Sequence, residues 1–352
     1  MKIKTGIIGL NSDHLWPTWG KGIIKEVEET GKYELIAATE KNPPLLERVK
    51  KEFGVKNTYS SFRDMLKKEL LDVVVVGVPN NEKADVIEAL VERDVHALID
   101  KPMSANLEQA NRILKAVEKN KTKGIVYYPG FFDPRSFEAH RLATDGTIGK
   151  VFQIEARTAN SGPEHHGCSK YFLEWLFDKE KNGGGSLIDY CCYGSLYCRW
   201  LIGQPEGVMA VGGKYIKTNI EAEDNATLLL RYPKALAIVQ SSWSEFASDT
   251  AWKAYPGPKL AVYGSEGAVI WHHWMDETIT LITSDYPKGT IVKPSPISEE
   301  MKSPPEYLAY CIMNDLPVEG PGSLPICRDV QEILEAGYRS IEGRKEIQLP
   351  IK

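Results

Sequence analysis

Residues 72 to 78 read DVVVVGV, with four consecutive valines and no polar alternation. A strand with one face in water must alternate apolar and polar side chains, so a strand apolar on both faces has to be covered on both, as the central strands of parallel sheets are. The run is the third of five. KTGIIGL, YELIAAT, DVVVVGV, HALI and GIVYY follow one another within the first 130 residues. Between them lie stretches such as NEKADVIEALVERD and NLEQANRILKAVEKN, whose apolar residues recur at helical spacing. Short apolar strands alternating with amphipathic helices specify βαβ units. Residues 1–125 are therefore expected to form a doubly wound parallel sheet of the dinucleotide-binding, Rossmann type.

A chain of 352 residues exceeds one ordinary core. Beyond about residue 150 the texture changes to longer, half-polar segments, KVFQIEARTA, NATLLLRY, ALAIVQSSW and KLAVYGSEGAVIW. They predict an α+β second domain over 126–352 with a large, mostly antiparallel, open-faced sheet. One helix, SLIDYCCYGSLYCRWLIG, interrupts the strands, preceded by Gly183 to Gly185 and ended by Gly203 and Pro205. A second, over 326–345, has the option of packing back on the first domain. A net charge of −5 gives no electrostatic reason to expect nucleic acid or an anionic membrane as partner. No run of 18 apolar residues occurs and MKIKTGIIGL reads as a strand, so a cytoplasmic location is expected. The six cysteines lack CxxC pairs and are expected to be reduced thiols. His165, His166 and Cys168 have no second pair of ligands at zinc spacing, so no metal is expected.

The first turn departs from a dinucleotide fingerprint. In GIIGLNSDHLWPTWGKG only Gly9 keeps its place, and Asn11 and His14 stand where the second and third glycines belong. Glu40 follows Gly9 by 31 residues, against roughly 26 for the usual spacing. The first connection is thus longer than normal. Pro17 suits a first helical position and keeps Trp16 out of the helix. A helix near Pro17, after an extended loop over Asn11 to Trp16, is expected. Backbone around Leu10, Asn11, Ser12 and Asp13 would then hold a pyrophosphate, with His14 and Trp16 extending toward nicotinamide and substrate. The alternative is that Trp16 and Trp19 are packing residues of a displaced helix. Glu40, after the second strand, is placed to accept hydrogen bonds from both ribose hydroxyls, which favours NAD; Lys41 beside it keeps NADP open.

At the next strand ends stand GVPNNEK and LIDKPMS. With these the chain resembles the Gfo/Idh/MocA family of nicotinamide-dependent sugar and polyol oxidoreductases. That family has a Pro-Asn turn and then a Glu-Lys-Pro element, matched by Pro79, Asn80 and Asp100-Lys101-Pro102. Aspartate for glutamate is a departure, and so is Lys83, where the family commonly has histidine. The resemblance continues through DGTIGKV, NGGGSLIDYCCYG, LIGQPEGVMAV, AEDNATLLLRY and YGSEGAVI. It implies that Pro79, Asn80, Asp100 and Lys101 border the coenzyme, that the Lys101-Pro102 peptide is cis, and that Lys101 enters the cleft between nicotinamide and substrate. A fixed ammonium there polarises a carbonyl or stabilises an alkoxide as hydride moves.

Asp189 and Tyr193 lie four apart on one helix face. Many family members carry Asp and His at these places; the glucose-fructose oxidoreductase and dihydrodiol dehydrogenase branches carry tyrosine. A phenol titrates near 10 and needs a cation to act as a base. The expectation is that Tyr193 transfers the substrate proton, Lys101 tunes it and Asp189 orients hydroxyls. His165 and His166 lie in a polar loop suited to a polyol. The pair His272-His273, between Trp271 and Trp274, reads as packing or an oligomer surface. The resemblance further implies a homodimer or homotetramer through the second-domain sheet. Two other functions stay open, an NAD-dependent glycoside hydrolase of the same family and a non-catalytic dinucleotide or sugar sensor.

Overall fold

The computed structural model describes residues 2–18, 20–246, 259–272 and 277–352. Trp19, His273 and Trp274 lie outside the described residues. The chain forms two compact units. The first gathers Met1–Pro129, Gly167–Gly183 and Ser298–Arg328, and the second gathers Gly130–His166, Gly184–Ile297 and Asp329–Lys352. A single cut at 125/126 therefore differs from this division in two excursions of the chain. The helix Leu324–Gly343 contributes its start to the first unit and the remainder to the second.

The first unit is built on six strands, β1 (Ile3–Ile8), β2 (Tyr33–Thr39), β3 (Asn57–Tyr59), β4 (Val73–Val76), β5 (His96–Asp100) and β6 (Gly124–Tyr127). Their order is β3-β2-β1-β4-β5-β6 and every pairing is parallel. This is the dinucleotide-binding order, whose direction reverses between β1 and β4. All four valines of β4 are buried, as their two-sided apolarity requires. The helix Leu107–Asn120 shows how sequence sets these crossovers. Asn106 caps its start by accepting the Gln109 N–H, Lys121 ends it in the left-handed conformation, and Leu107, Ala110, Ile113 and Val117 form the buried stripe. Truncating Ile113 to alanine would cost about 2–5 kcal/mol. The segment Ser298–Arg328 completes the unit, with the Tyr33 hydroxyl donating to the Pro305 carbonyl at 2.6 Å.

The expected helix at Pro17 is absent. Asp13–Leu15 is a single 3-10 turn and the α-helix spans only Ile23–Glu29. The cause is a fold-back: the Thr18 N–H donates to the Trp16 carbonyl at 2.8 Å, and Gly22 has φ 74° where a Cβ would lie 2.4 Å from that carbonyl. Only glycine tolerates both the approach and the torsion. The first connection is longer than expected, in the direction the Gly9 to Glu40 spacing indicated.

The second unit carries nine strands, β7 (Val151–Ala159), β8 (Gly207–Gly213), β9 (Asn225–Arg231), β10 (Leu236–Ser242), β11 (Leu260–Gly264), β12 (Gly267–Trp271), β13 (Ile279–Thr283), β14 (Thr290–Val292) and β15 (Ile347–Gln348). They run in the order β14-β13-β12-β11-β7-β10-β9-β8-β15. The β7 and β10 pair is parallel and the other pairings are antiparallel. One face is covered by the helix Cys192–Ile202, whose Gly194 lies so close that a Cβ would sit 2.5 Å from Val239 Cγ1. The other face exposes Met209, Val211, Leu229 and Leu236.

Candidate active site

In the first unit the site-bearing residues stand at the carboxyl ends of the parallel strands. Gly9 leaves β1 with φ 82°, and a Cβ there would lie 2.6 Å from the Val78 nitrogen. The turn after β1 is thus pressed against the chain leaving β4, where the strand order reverses. Ser12 caps the 3-10 turn that follows, accepting the His14 N–H. Trp16 does not extend toward a ligand as expected. It is 1% exposed, its indole N–H donates to the Leu10 carbonyl at 2.8 Å, and its ring packs on Phe53 beneath the Arg48 guanidinium. An indole held by its one donor and covered on both sides is a packing residue.

Glu40 is buried after β2. Its Oε1 accepts three N–H groups, from the Lys41 and Asn42 backbones and the Asn42 side chain, and its Oε2 accepts the Leu10 N–H at 2.8 Å. A carboxylate has about four acceptor directions. Oε1 is saturated, which leaves Oε2 for one ribose hydroxyl rather than two.

Asp100, the last residue of β5, is fully buried, and its Oδ2 receives the Ser12 hydroxyl at 2.6 Å and faces the His14 Nδ1 at 3.1 Å. Burial pushes its carboxyl up, but the His14 imidazole, the Lys83 ammonium and the Ser12 hydroxyl outweigh that and hold it down to about 2. Lys83 is itself fully buried, its Nζ donating to the carbonyls of Asp100 and of Pro102, the latter at 2.7 Å. It thus ties both flanks of Lys101. Lys101 is 3% exposed, and the Lys101-Pro102 peptide is cis.

The excursion Gly167–Gly183 lies over this loop within the same unit. The Ser169 N–H donates to the Asp13 carboxylate, the Trp175 indole N–H to the Asn11 carbonyl at 3.3 Å, and the His14 ring meets Phe172 edge-on. Asn80, after β4, donates its amide to the Asn182 side-chain oxygen at 2.8 Å. The side-chain oxygens of Asn11 and Asn80 are buried without a hydrogen-bond partner. Buried acceptors without donors are costly, and both border the strand-order reversal where dinucleotides bind. Together with the Gly9 approach and the remaining direction on Glu40 Oε2, they fit a nicotinamide dinucleotide. Leu10 departs from the expectation, since its N–H is engaged by Glu40; the Asp13 carboxylate is engaged by the Ser169 N–H.

In the second unit Asp189 and Tyr193 share the helix after Gly183 to Gly185, but its first part is not α-helical. Leu187–Cys191 is a π turn, and such turns recur at functional sites. It widens the helix where Asp189 is carried. Asp189 is 5% exposed and accepts the Trp243 indole N–H at 3.1 Å. Tyr193 is half-buried. The turn is anchored by Glu223, whose Oε1 accepts the Gly185 and Leu187 N–H groups and the Tyr338 hydroxyl, each at 2.9 Å. Burial raises the Glu223 carboxyl above its ordinary range. A side chain at Gly184 would collide with the Tyr338 ring, which explains part of the glycine triplet. His165 and His166 are exposed on a loop fastened by the ion pair between Glu164 and Lys217 at 2.6 Å. Trp271, beside His272, is a buried packing residue. Among the described residues no cluster of His, Cys, Asp or Glu is arranged to hold a metal ion, and no helix is long and apolar enough to cross a membrane.

Sequence reasoning missed Trp243, Glu223, Tyr338 and Asn182. Glu223 stands in the matched AEDNATLLLRY element, a signal of place without role, and Trp243 carried none.

Comparison with known proteins bears on the fold and the family. Residues 3–128 match the family model described as an oxidoreductase family with an NAD-binding Rossmann fold, and residues 137–270 match the GFO/IDH/MocA C-terminal domain. The chain is 22% identical over 266 residues to myo-inositol 2-dehydrogenase of Thermotoga maritima, covering 73% of each protein. It is 21% identical over 322 residues to scyllo-inositol 2-dehydrogenase (NAD(+)) of Bacillus subtilis, covering 87% of this chain and 86% of that one. The solved structure of levoglucosan dehydrogenase in complex with NADH and L-sorbose superposes with TM-score 0.83 at 18% identity over 99% of both chains. The aldose-aldose oxidoreductase of Caulobacter crescentus complexed with glycerol gives 0.81 at 21% identity, over 99% of this chain and 100% of that one. With its reversed parallel sheet, its Asp-Lys-Pro turn and both family domains in order, the chain belongs to the GFO/IDH/MocA oxidoreductase family.

Proposed function

We propose that this protein is an NAD-dependent dehydrogenase or reductase acting on a secondary hydroxyl or carbonyl of a sugar, inositol or related polyol. The bound nicotinamide supplies the hydride acceptor or donor. The first unit contributes Lys101, whose ammonium polarises the substrate oxygen and stabilises it as an alkoxide. The second contributes Tyr193, which moves the hydroxyl proton, and Asp189, which orients neighbouring hydroxyls. The observation that carries this reading is Lys101 itself. It is a buried cation at the end of β5, in a turn whose two flanking carbonyls are both held by Lys83. His14, His165 and His166 are proposed substrate-side residues. The relatives named above are dehydrogenases, which favours net redox over transient oxidation in a hydrolase or a silent sensor.

Glu40 supports NAD over NADP, since its carboxylate would oppose a 2′-phosphate. The apolar residues on the outer face of the nine-stranded sheet support self-association through that face. The six cysteines are reduced thiols, consistent with a cytoplasmic location. The test is a panel of inositols and aldoses with NAD and NADP, read as NADH or NADPH absorbance. Net reduced coenzyme with a polyol, lost in Lys101→Met, is the expected result. Leaving-group release from a glycoside without NADH would overturn it in favour of hydrolysis. Binding without turnover across the panel would favour the sensor.

A further inference from the structure

Three departures from the family pattern meet at one residue. Histidine replaces the third fingerprint glycine at position 14, aspartate replaces glutamate at position 100, and lysine replaces histidine at position 83. In sequence they are 86 and 17 residues from Asp100. In the structure His14 Nδ1 is 3.0 Å from the Asp100 carboxylate, and the Lys83 ammonium donates to the Asp100 carbonyl. Ser12, one residue past the second missing glycine, donates its hydroxyl to the same carboxylate at 2.6 Å.

The substitutions are sterically complementary. A glycine at 14 has no side chain to reach Asp100, whereas the imidazole does reach it. A glutamate at 100 would project one methylene further, into that ring. Together they form a bonded set in which Lys83 and Asp100 are fully buried and the His14 side chain is 18% exposed. The glycine fingerprint works by letting backbone approach the pyrophosphate closely. Here the loop runs on through a side-chain bridge, and the bridge ends on the residue that precedes Lys101.

We infer that Ser12, His14 and Asp100 form a latch that joins the coenzyme loop to the Lys101 turn, so that coenzyme binding and the placement of Lys101 are set together. Asp100 is then a positioning residue rather than a coenzyme ligand, and His14 acts through it. Lys83 fixes the backbone side of the same joint. A dinucleotide that settles the loop also settles the ammonium; a loop released from Asp100 loses affinity and leaves Lys101 less well placed.

The inference rests on the coenzyme reading of the first unit, and a double-mutant cycle separates the two. NADH binding is followed by fluorescence titration for wild type, His14→Gly, Asp100→Asn and the double variant, with kcat measured at saturating NAD. Each single variant is expected to weaken NADH about tenfold and to lower kcat. The double variant should resemble either single one, because one joint is broken once. Effects that multiply to about a hundredfold, or weakened NADH with kcat unchanged, overturn the latch while leaving the coenzyme site standing. Wild type that binds no NADH overturns both. Should Asp100→Asn fail to fold, the cycle of Ser12→Ala with His14→Gly tests the same joint, and non-additivity is again the expected outcome.

Discussion

Replacing Lys83 with methionine tests the architecture of the site most directly. Lysine 83 is fully buried and donates to two carbonyls, those of Asp100 and Pro102. Methionine keeps most of the apolar stem and deletes the ammonium. A hydrogen bond from a charged donor contributes about 1.5–3 kcal/mol, so two losses set an upper limit near 6 kcal/mol. Against this stands the recovered cost of burying an ammonium, several kcal/mol before its partners compensate it. The two carbonyls left without donors tip the balance, and the expected net loss is about 2–4 kcal/mol. Chemical denaturation monitored by tryptophan fluorescence would show it as a lowered midpoint. The kinetic consequence is separable. Lys101 sits between the two released carbonyls, and a displacement of about 1 Å at a reacting group costs on the order of a hundredfold. In the variant that remains folded, kcat should fall ten- to a hundredfold with a smaller change in NADH affinity. A Lys83→Met protein with wild-type midpoint and wild-type kcat would refute the claim that this lysine builds the turn.

Tyr193→Phe should lower kcat by about 10²–10⁴ with NADH affinity unchanged, as loss of a proton-transfer group does; full turnover would remove Tyr193 from the chemistry. Asp100 makes stability pH-dependent. Its carboxyl is held at about 2 in the fold against an ordinary 3.8, so its contribution, about 2 kcal/mol, is complete above pH 4 and lost as pH falls toward 2. Asp100→Asn should therefore be less stable at neutral pH and show a flatter acid limb in denaturation between pH 4 and 2. Glu40→Gln loses part of the acceptor set that holds the Leu10 and Asn42 N–H groups and should weaken NADH about tenfold by calorimetric titration. Trp243→Phe removes the donor to Asp189 and should raise KM for the polyol more than it alters NADH binding.

The parts of this protein legible in its sequence were those written in local periodicity. DVVVV could only be a strand covered on both faces, and the runs flanking it gave the parallel sheet. The Asp100-Lys101-Pro102 element was legible through its resemblance to the family's Glu-Lys-Pro turn, with which a cation after a parallel strand is physically consistent. Pro17 misled because its preference for a first helical position is a local rule, while the approach of Gly22 to the Trp16 carbonyl settled the path by a fold-back that apolar periodicity does not encode. Trp16 shows the same limit: its indole answers the Leu10 carbonyl six residues back, which spacing alone does not reveal. The π turn at Asp189 is set by Glu223 and Tyr338, from the loop before β9 and the helix Leu324–Gly343. Asn182 met Asn80 across 102 residues. These are tertiary choices, and periodicity is silent about them.

The division of the chain has a practical consequence for anyone who would take the protein apart. The first unit is assembled from three stretches, Met1–Pro129, Gly167–Gly183 and Ser298–Arg328. A fragment ending at Pro129 would lack the partner of the Tyr33 hydroxyl, the side chain of Leu324 that packs on Gly124, and the Ser169 and Trp175 donors that brace the loop after Gly9. Grafting this coenzyme module onto another scaffold therefore means moving three pieces of polypeptide with their junctions, not one.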